Sequence, residues 1–508
     1  MRIAKLSELF GLDLRSLAAL RICTAGLILL DLWIRSRDLA AHYSDGGILP
    51  RSVLFNLASN DWFLSIHTSS GAWQFQCILF VIAAVFAVSL LLGYRTRLVT
   101  VVLWCLLLSL QNRNTMILEG ADVLLRLIVF WGMFLPWGAR CSLDRLACPD
   151  HDAEANQVSS PATLAFSLQI VLVYVFSAVL KTGNEWRVDG SALYFALSCD
   201  MFVTPFGRQL LNLPREFLES ITFSLWWLEA VGMFFLFVPI YNALFRLAVI
   251  AAFVGLHFGI WVSMSVGLFP LIGATAMVAF VPGVVWNVLG RLRLFKAVVS
   301  VCSSIGQRLR EHLPALPSGF SITTKQSPAG KILALLFLAY IVMWNLGTRE
   351  NATVGMRNVE WVGLLTRTDQ KWDMFAPYPI KDDGWYVIEG TLMDGSTIDL
   401  SRYAMDGSTR RAVKWEKPAT VSATYSTSRW QKYMSRLWLR IDSGHRLYFA
   451  RFICRRWQSE HPSESRLENF RIYYMLEVTQ KYAMLEVTQK YAKPTVRKTL
   501  VWDHGCFR

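Results

Sequence analysis

The 508-residue sequence predicts a mainly α-helical, polytopic membrane protein: about nine transmembrane helices over residues 1–349, then a small extracytoplasmic β-rich domain over 350–508. Three observations carry that expectation. The chain is 54% hydrophobic with a mean hydropathy of +0.36, too apolar for an ordinary soluble protein of this size. Windows approaching the roughly 20 apolar residues that cross a hydrocarbon core recur, with short polar connections, up to Gly347. Beyond it the composition turns to Trp, Tyr, Arg and turn residues.

The expected spans are approximately 16–35, 72–93, 97–112, 122–138, 163–181, 219–240, 245–263, 266–286 and 330–348, with 52–66 a weaker interfacial segment. Arg2, Lys5 and Arg15 before the first run resemble a secretory signal, but the run contains Arg21 and Asp31, is too long, and lacks a small-residue cleavage pattern. It reads as a permanent helix. The net charge of +14 is distributed as a membrane topology rather than as a nucleic-acid footprint. The loop after the eighth span holds Arg291, Arg293, Lys296, Arg308, Arg310 and Lys325 against Glu311 alone, which makes it cytoplasmic by the excess of positive charge. Alternation from there puts Tyr94 to Arg97, Arg140 to Arg145 and the N-terminus on the same side. Lys181 and the tail then face the opposite one, as expected of a bacterial inner-membrane protein with its C-terminal domain outside the cytoplasm.

Nine cysteines are scattered without a CxxC pair or a Cys/His metal spacing, so no metal is expected. Cys454 and Cys506 fall in the exported tail, where one disulfide is conceivable although no spacing rule demands it. Within the tail, GWYVIEGTLMDGSTIDL alternates around Asp394-Gly395, the signature of a β-hairpin. MLEVTQKYA occurs twice in tandem, at Met475–Ala483 and Met484–Ala492. A period of nine reverses the face of a strand and of a helix, so the second copy reads as a local duplication absorbed in a loop.

Charges inside spans cost about 2.5–3.5 kcal/mol on insertion scales, so they face the protein interior and mark function or internal ion pairs. Here they are Arg21, Asp31, Asp122, Arg126, Glu229 and His257. Asp122 and Arg126, spaced i, i+4, share a face and are expected to neutralise each other. Arg21 and Asp31 do not share one and need partners elsewhere. His257, flanked by apolar residues, reads either as a hydrogen-bonded core histidine or as a proton donor and acceptor. Lys181 ends the run VYVFSAVLKTGNEW. By position it is a snorkelling anchor with Trp186 beside it. As a base it would have to point inward, where desolvation or a nearby cation depresses an amine's pKa.

Taken in order, several segments resemble the vitamin K-dependent gamma-carboxylases and the bacterial proteins that share their horizontally transferred transmembrane domain. LAALRICTAGLILLDL is similar to the family's first span with its embedded arginine, and LLGYRTRL to the turn after its second. VYVFSAVLKTGNEWRVDG and LHFGIWVSMSVGLFP follow in register over roughly 270 residues, and QKWDMFAPYPIKDDGWY, Gln370 to Tyr386, resembles a segment after the membrane domain in bacterial members. The resemblance puts Lys181 on the lysine assigned as catalytic base and His257 on the family's histidine. It implies a lyase in which the lysine deprotonates a reduced naphthoquinone (vitamin K or menaquinol) that takes up oxygen. The basic intermediate removes a γ-proton from glutamate in an exported protein, and the carbanion captures carbon dioxide. A dry site suits that chemistry. Asp122 is then expected in the catalytic set, with Arg126 and Arg21 binding the cofactor and the bilayer as a further partner. The departures are LEGADV where the carboxylases carry NNHSYL and its histidine, Leu180 for the first lysine of their pair, and a much shorter tail. The other reading is a non-catalytic transporter or export scaffold. The two differ in whether Lys181 and His257 converge on an enclosed pocket. Phosphate-binding, nucleophile-elbow and zinc motifs are absent.

Overall fold

A computed structural model describes residues 6–57, 62, 64–147, 156–314, 326–349, 358–439, 443–462, 465–479 and 496–506. Its larger part is a helical bundle: α1 (Leu14–Ser36), α2 (Trp73–Leu92), α3 (Thr96–Arg113), α4 (Gly120–Gly132), α5 (Pro161–Leu180), α6 (Arg215–Val231), α7 (Asn242–Ser263), α8 (Phe269–Val278), α9 (Gly283–Leu289), α10 (Arg293–His312) and α11 (Pro328–Gly347). The starts carry their own punctuation. Asp13 accepts from the Arg15 amide at 2.8 Å ahead of α1, and Ser160 and Thr163 close a reciprocal box around Pro161 at the start of α5. Gly93 ends α2 at φ 70°, and a Cβ there would lie 2.4 Å from the Arg21 guanidinium, so only glycine serves both the cap and the packing.

Among the described residues, six helices are long and apolar enough to cross a membrane: α1, α2, α5, α6 with its 3-10 extension to Phe237, α7 and α11. The number rises to seven if α8 and α9 count as one broken span. These apolar helices are compatible with an integral membrane protein, but the expectation of about nine uniform spans is refined at three places. The 97–112 run forms α3, whose last turn is Gln111-Asn112-Arg113 and too polar for the middle of a bilayer. The 122–138 run gives only the thirteen residues of α4, because Pro136 cannot continue a helix. The 266–286 run breaks by 89° at Phe280-Val281-Pro282. α4 compensates for its length by being central, buried along nearly its whole course and packed on α1, α3, α5 and α8.

The tail is mixed rather than purely β. Strands β1 (Asp382–Leu392), β2 (Thr397–Asp399), β3 (Leu467–Val478) and β4 (Val496–Gly505) form an antiparallel sheet in the order β2-β1-β3-β4. α12 (Ser428–Leu439) and α13 (Ser443–Glu460) accompany it, with α13 packed on β3 and β4. β1 and β2 are the hairpin read around Asp394, with Glu389 opposite Asp399 and Gly395 at φ 79°. β1 is buried over six consecutive residues instead of alternating, as fits a central strand covered on both faces. Tyr386, opposite Tyr474, donates its hydroxyl to the Met434 carbonyl of α12 at 2.9 Å. Cys454 of α13 is bonded to Cys506 after β4. The first MLEV of the repeat is the end of β3, and the second copy lies outside the described residues. Most buried apolar residues of bundle and tail form one contiguous core, with Leu197, Val203 and Leu218 in a small separate cluster.

Candidate functional site

A cavity of about 1280 Å³ opens where the tail meets the bundle. It collects the C-terminal ends of α5, α7 and α11 and the N-terminal ends of α4 and α8, so it lies at one end of the bundle, here called outer. Leu256, Ile260, Met264 and Phe269 supply an apolar wall, and α12 closes the far side with Gln431, Lys432 and Arg436. Burial, with Arg436 alongside, holds Lys432 below the usual lysine range. The remaining wall is the segment Gln370 to Tyr378, held by a polar seam. Gln169 donates to Gln370 at 2.8 Å, Trp344 donates to the Gln370 carbonyl, Trp372 to its side-chain oxygen, and Trp186 to the Phe375 carbonyl at 2.9 Å.

Lys181 lines this cavity and is only 4% exposed. It caps α5 but does not snorkel. Its Nζ donates to Glu229 of α6 and stands 4.3 Å from the Trp186 ring centre, a cation–π contact as well as an ion pair. Ser177, one turn back, adds a hydrogen bond to the same Glu229 oxygen at 3.3 Å. The carbonyls left open at the end of α5 are taken by Arg187, on Lys181 and Val179, and by Trp226 on Ala178. The helix end is thus satisfied without the amine, which is left to face the cavity.

His257 is buried one layer deeper and does not line the cavity. Its Nε2 is 2.6 Å from the Tyr174 hydroxyl, two turns before Lys181 on α5, and its Nδ1 has no protein partner. The ring lies flat against Gly273 of α8, where a Cβ would come within 2.2 Å of it. Lys181, Ser177 and Tyr174 fall on one face of α5, so a row of polar groups runs from the cavity floor towards His257.

The expected neutralisation of Asp122 by Arg126 does not occur. Asp122 turns away from the cavity into a buried square of two acids and two bases. It meets Arg35 and Arg429, Asp31 meets the same two arginines at 2.7 Å each, and Arg429 comes from α12 of the tail. The spacing placed Asp122 and Arg126 on one face, but that face borders two different partners. Arg126 does line the cavity and is spent on the incoming tail, donating to the Arg367 carbonyl at 2.7 Å and to the Asp369 carbonyl and carboxylate. Arg21 is at the other end of the bundle, donating to the Trp137 and Cys141 carbonyls, and is in no position to touch a ligand of this cavity. The structure therefore brings together Lys181 and Arg126, sets His257 behind the wall, and removes Asp122 and Arg21 from it.

Sequence reasoning passed over Glu229 as the partner of Lys181, and Tyr174, Arg35 and Arg429 entirely. Arg35 was accessible through its i, i+4 spacing from Asp31, whereas Arg429 lies 398 residues from it. A trio of carboxylates, Asp200, Asp383 and Glu477, also converges within 4.8 Å at the bundle–sheet junction. Lys417 occupies the cationic position, its amine bonded to Asp200 and to Glu477 at 2.5 Å. Burial and the nearby Asp200 push Asp383 up to about 7. No protein-family model, curated protein or solved structure matches the chain.

Proposed function

We propose that the chain is an integral-membrane enzyme in which Lys181 is the base for a reduced naphthoquinone, in the manner of the gamma-carboxylases it resembles. The observation that carries this reading is the inward Lys181 amine, paired with Glu229 on the floor of a cavity large enough for a bicyclic ring and the start of a prenyl chain. The lining fits such a group, with Phe269, Phe202 and Trp186 for the rings and Lys181 and Glu229 for its oxygens. When bound, the quinol would supply a removable hydroxyl proton and reducing equivalents for oxygen.

The residues of the chain do the rest. The Lys181 amine donates to Glu229, so a base and a proton-exchanging carboxylate stand side by side on the cavity floor. Ser177 keeps Glu229 in place, and the seam around Gln370 holds the outer wall of the cavity against the bundle. In this reading the tail is outside the cytoplasm, where a Cys454–Cys506 disulfide persists. Glutamate in an exported protein is then the acceptor.

A second reading, a non-catalytic membrane scaffold, is favoured by one observation: His257 stands outside the cavity wall and Lys181 is already matched by an acid. Purified protein supplied with menaquinol and oxygen separates the two. The enzyme reading expects bound quinol and oxygen-dependent consumption, lowered about 10²- to 10⁴-fold in Lys181→Ala. Absence of quinol binding, with wild-type behaviour of the mutant, leaves the scaffold.

A further inference from the structure

The basic segment between the broken span and α11 is not an extended loop. It folds as α10, twenty residues of which none is buried. At 100° per residue Leu294, Val298, Val301, Ile305 and Leu309 fall within an arc of roughly 80°. These five are 79, 52, 58, 53 and 37% exposed, an unbroken apolar stripe along a helix of about 30 Å. Arg293 and Arg308 border one edge of the stripe. The other edge turns to the protein, where Gly306 packs on Leu143 and Leu146 of the short helix Leu143–Ala147. Tyr94 also reaches this segment, donating to the Pro314 carbonyl. α10 is thereby held beside the turns at the inner end of the bundle, with its stripe at right angles to its contact with the protein.

We propose that α10 lies in the plane of the membrane, its stripe in the acyl chains of an anionic leaflet and its arginines and Lys296 on the lipid phosphates. Two features select this occupant. The helix starts four residues after α9, the second limb of the broken pair, so its stripe starts beside the end of that apolar segment. The charges around it, Arg291, Arg293, Lys296, Arg308 and Arg310 against Glu311, complement phosphate headgroups, and that composition is what keeps an amphipathic helix at an anionic surface. A bundle whose broken span is short gains a lateral anchor at its inner end.

The test uses the full chain in lipid nanodiscs, with exposed native cysteines replaced by serine and single nitroxides placed through Val298→Cys, Ile305→Cys, Ser300→Cys or Gln307→Cys. In discs containing phosphatidylglycerol, labels at 298 and 305 are expected to be oxygen-accessible and shielded from a water-soluble nickel chelate, with 300 and 307 the reverse. That contrast also reports a folded helix. Replacing Arg293, Lys296 and Arg308 by Gln should reduce the preference for anionic over zwitterionic discs by roughly fivefold per cation. Stripe labels that are wet in both kinds of disc would overturn the proposal. Spin–spin broadening between labels would also overturn it, since a second copy and not lipid would then cover the stripe.

Discussion

The two ends of the bundle differ in whether their buried cations meet carboxylates as well as main-chain carbonyls. At the inner end Arg21 and Arg246 donate to main-chain carbonyls, Arg21 to Trp137 and Cys141, and Arg246 to Leu9 and Gly11 at 2.6 and 3.1 Å. At the outer end Arg35, Arg126 and Arg429 engage carboxylates, and Lys181 engages Glu229. A carbonyl partner carries no net charge and makes a cation a staple between backbone segments. A carboxylate partner carries charge of its own, so the pair responds to anything that changes either charge. Function is therefore to be sought at the outer end.

The largest effect that tests this contrast is removal of Arg429. Arg429→Met leaves Asp31 and Asp122 with Arg35 as their remaining cation in the square, a loss of about 3–5 kcal/mol. It should release the tail, read as protease sensitivity of α12 and the sheet in otherwise folded protein. Arg21→Met at the inner end is expected to cost less, about 1–3 kcal/mol for the two carbonyls it abandons. It should lower the melting temperature and, on the enzyme reading, leave menaquinol binding unaltered, and a binding defect in it would break the division between the ends. Gly273→Ala sharpens the role of the inner wall of the cavity. Displacing His257 should cost about 1–3 kcal/mol, and on the enzyme reading it reduces turnover more than quinol binding.

A further effect is a pH dependence. Asp383 titrates near 7 in the folded chain against an ordinary value of 3.8, so between those values the folded state binds the proton and the unfolded state does not. Stability is then fully favoured below about 4 and declines as pH rises towards 7. The melting temperature of the wild type should fall by roughly 2–4 °C over that window relative to Asp383→Asn, with thermal denaturation at several pH values as the measurement.

How much of this could be read beforehand differs between the ends in the same way. The hydrophobic windows located the apolar helices of the bundle, because burial and bilayer crossing both demand apolar runs, but not the amphipathic α10 or the tail helices α12 and α13, and the Asp394-Gly395 turn located the hairpin through local backbone preference alone. The same windows could not distinguish a crossing helix from α4, which is apolar because it is central. Lys181 was legible as a candidate through its abrupt position at the end of an apolar run. Its orientation depended on Glu229, Trp186 and Arg187, each supplied by a separate element. The Asp122 pairing was misread because a shared helical face does not specify who occupies the other side, and Arg429 carries no local signal of its destination.

The square around Arg429 has a consequence in time. Asp31 and Asp122 are synthesised long before the arginine that completes their neutralisation, which follows Asp122 by 307 residues. At translation rates of 5–20 residues per second, that interval is roughly 15–60 s. Until the tail arrives, the young bundle holds two acids against Arg35, an arrangement that favours an open outer end and delays final closure of the cavity. A chain stalled before α12 would therefore be an inserted but unsealed intermediate, distinguishable from the finished protein by the charge it still lacks.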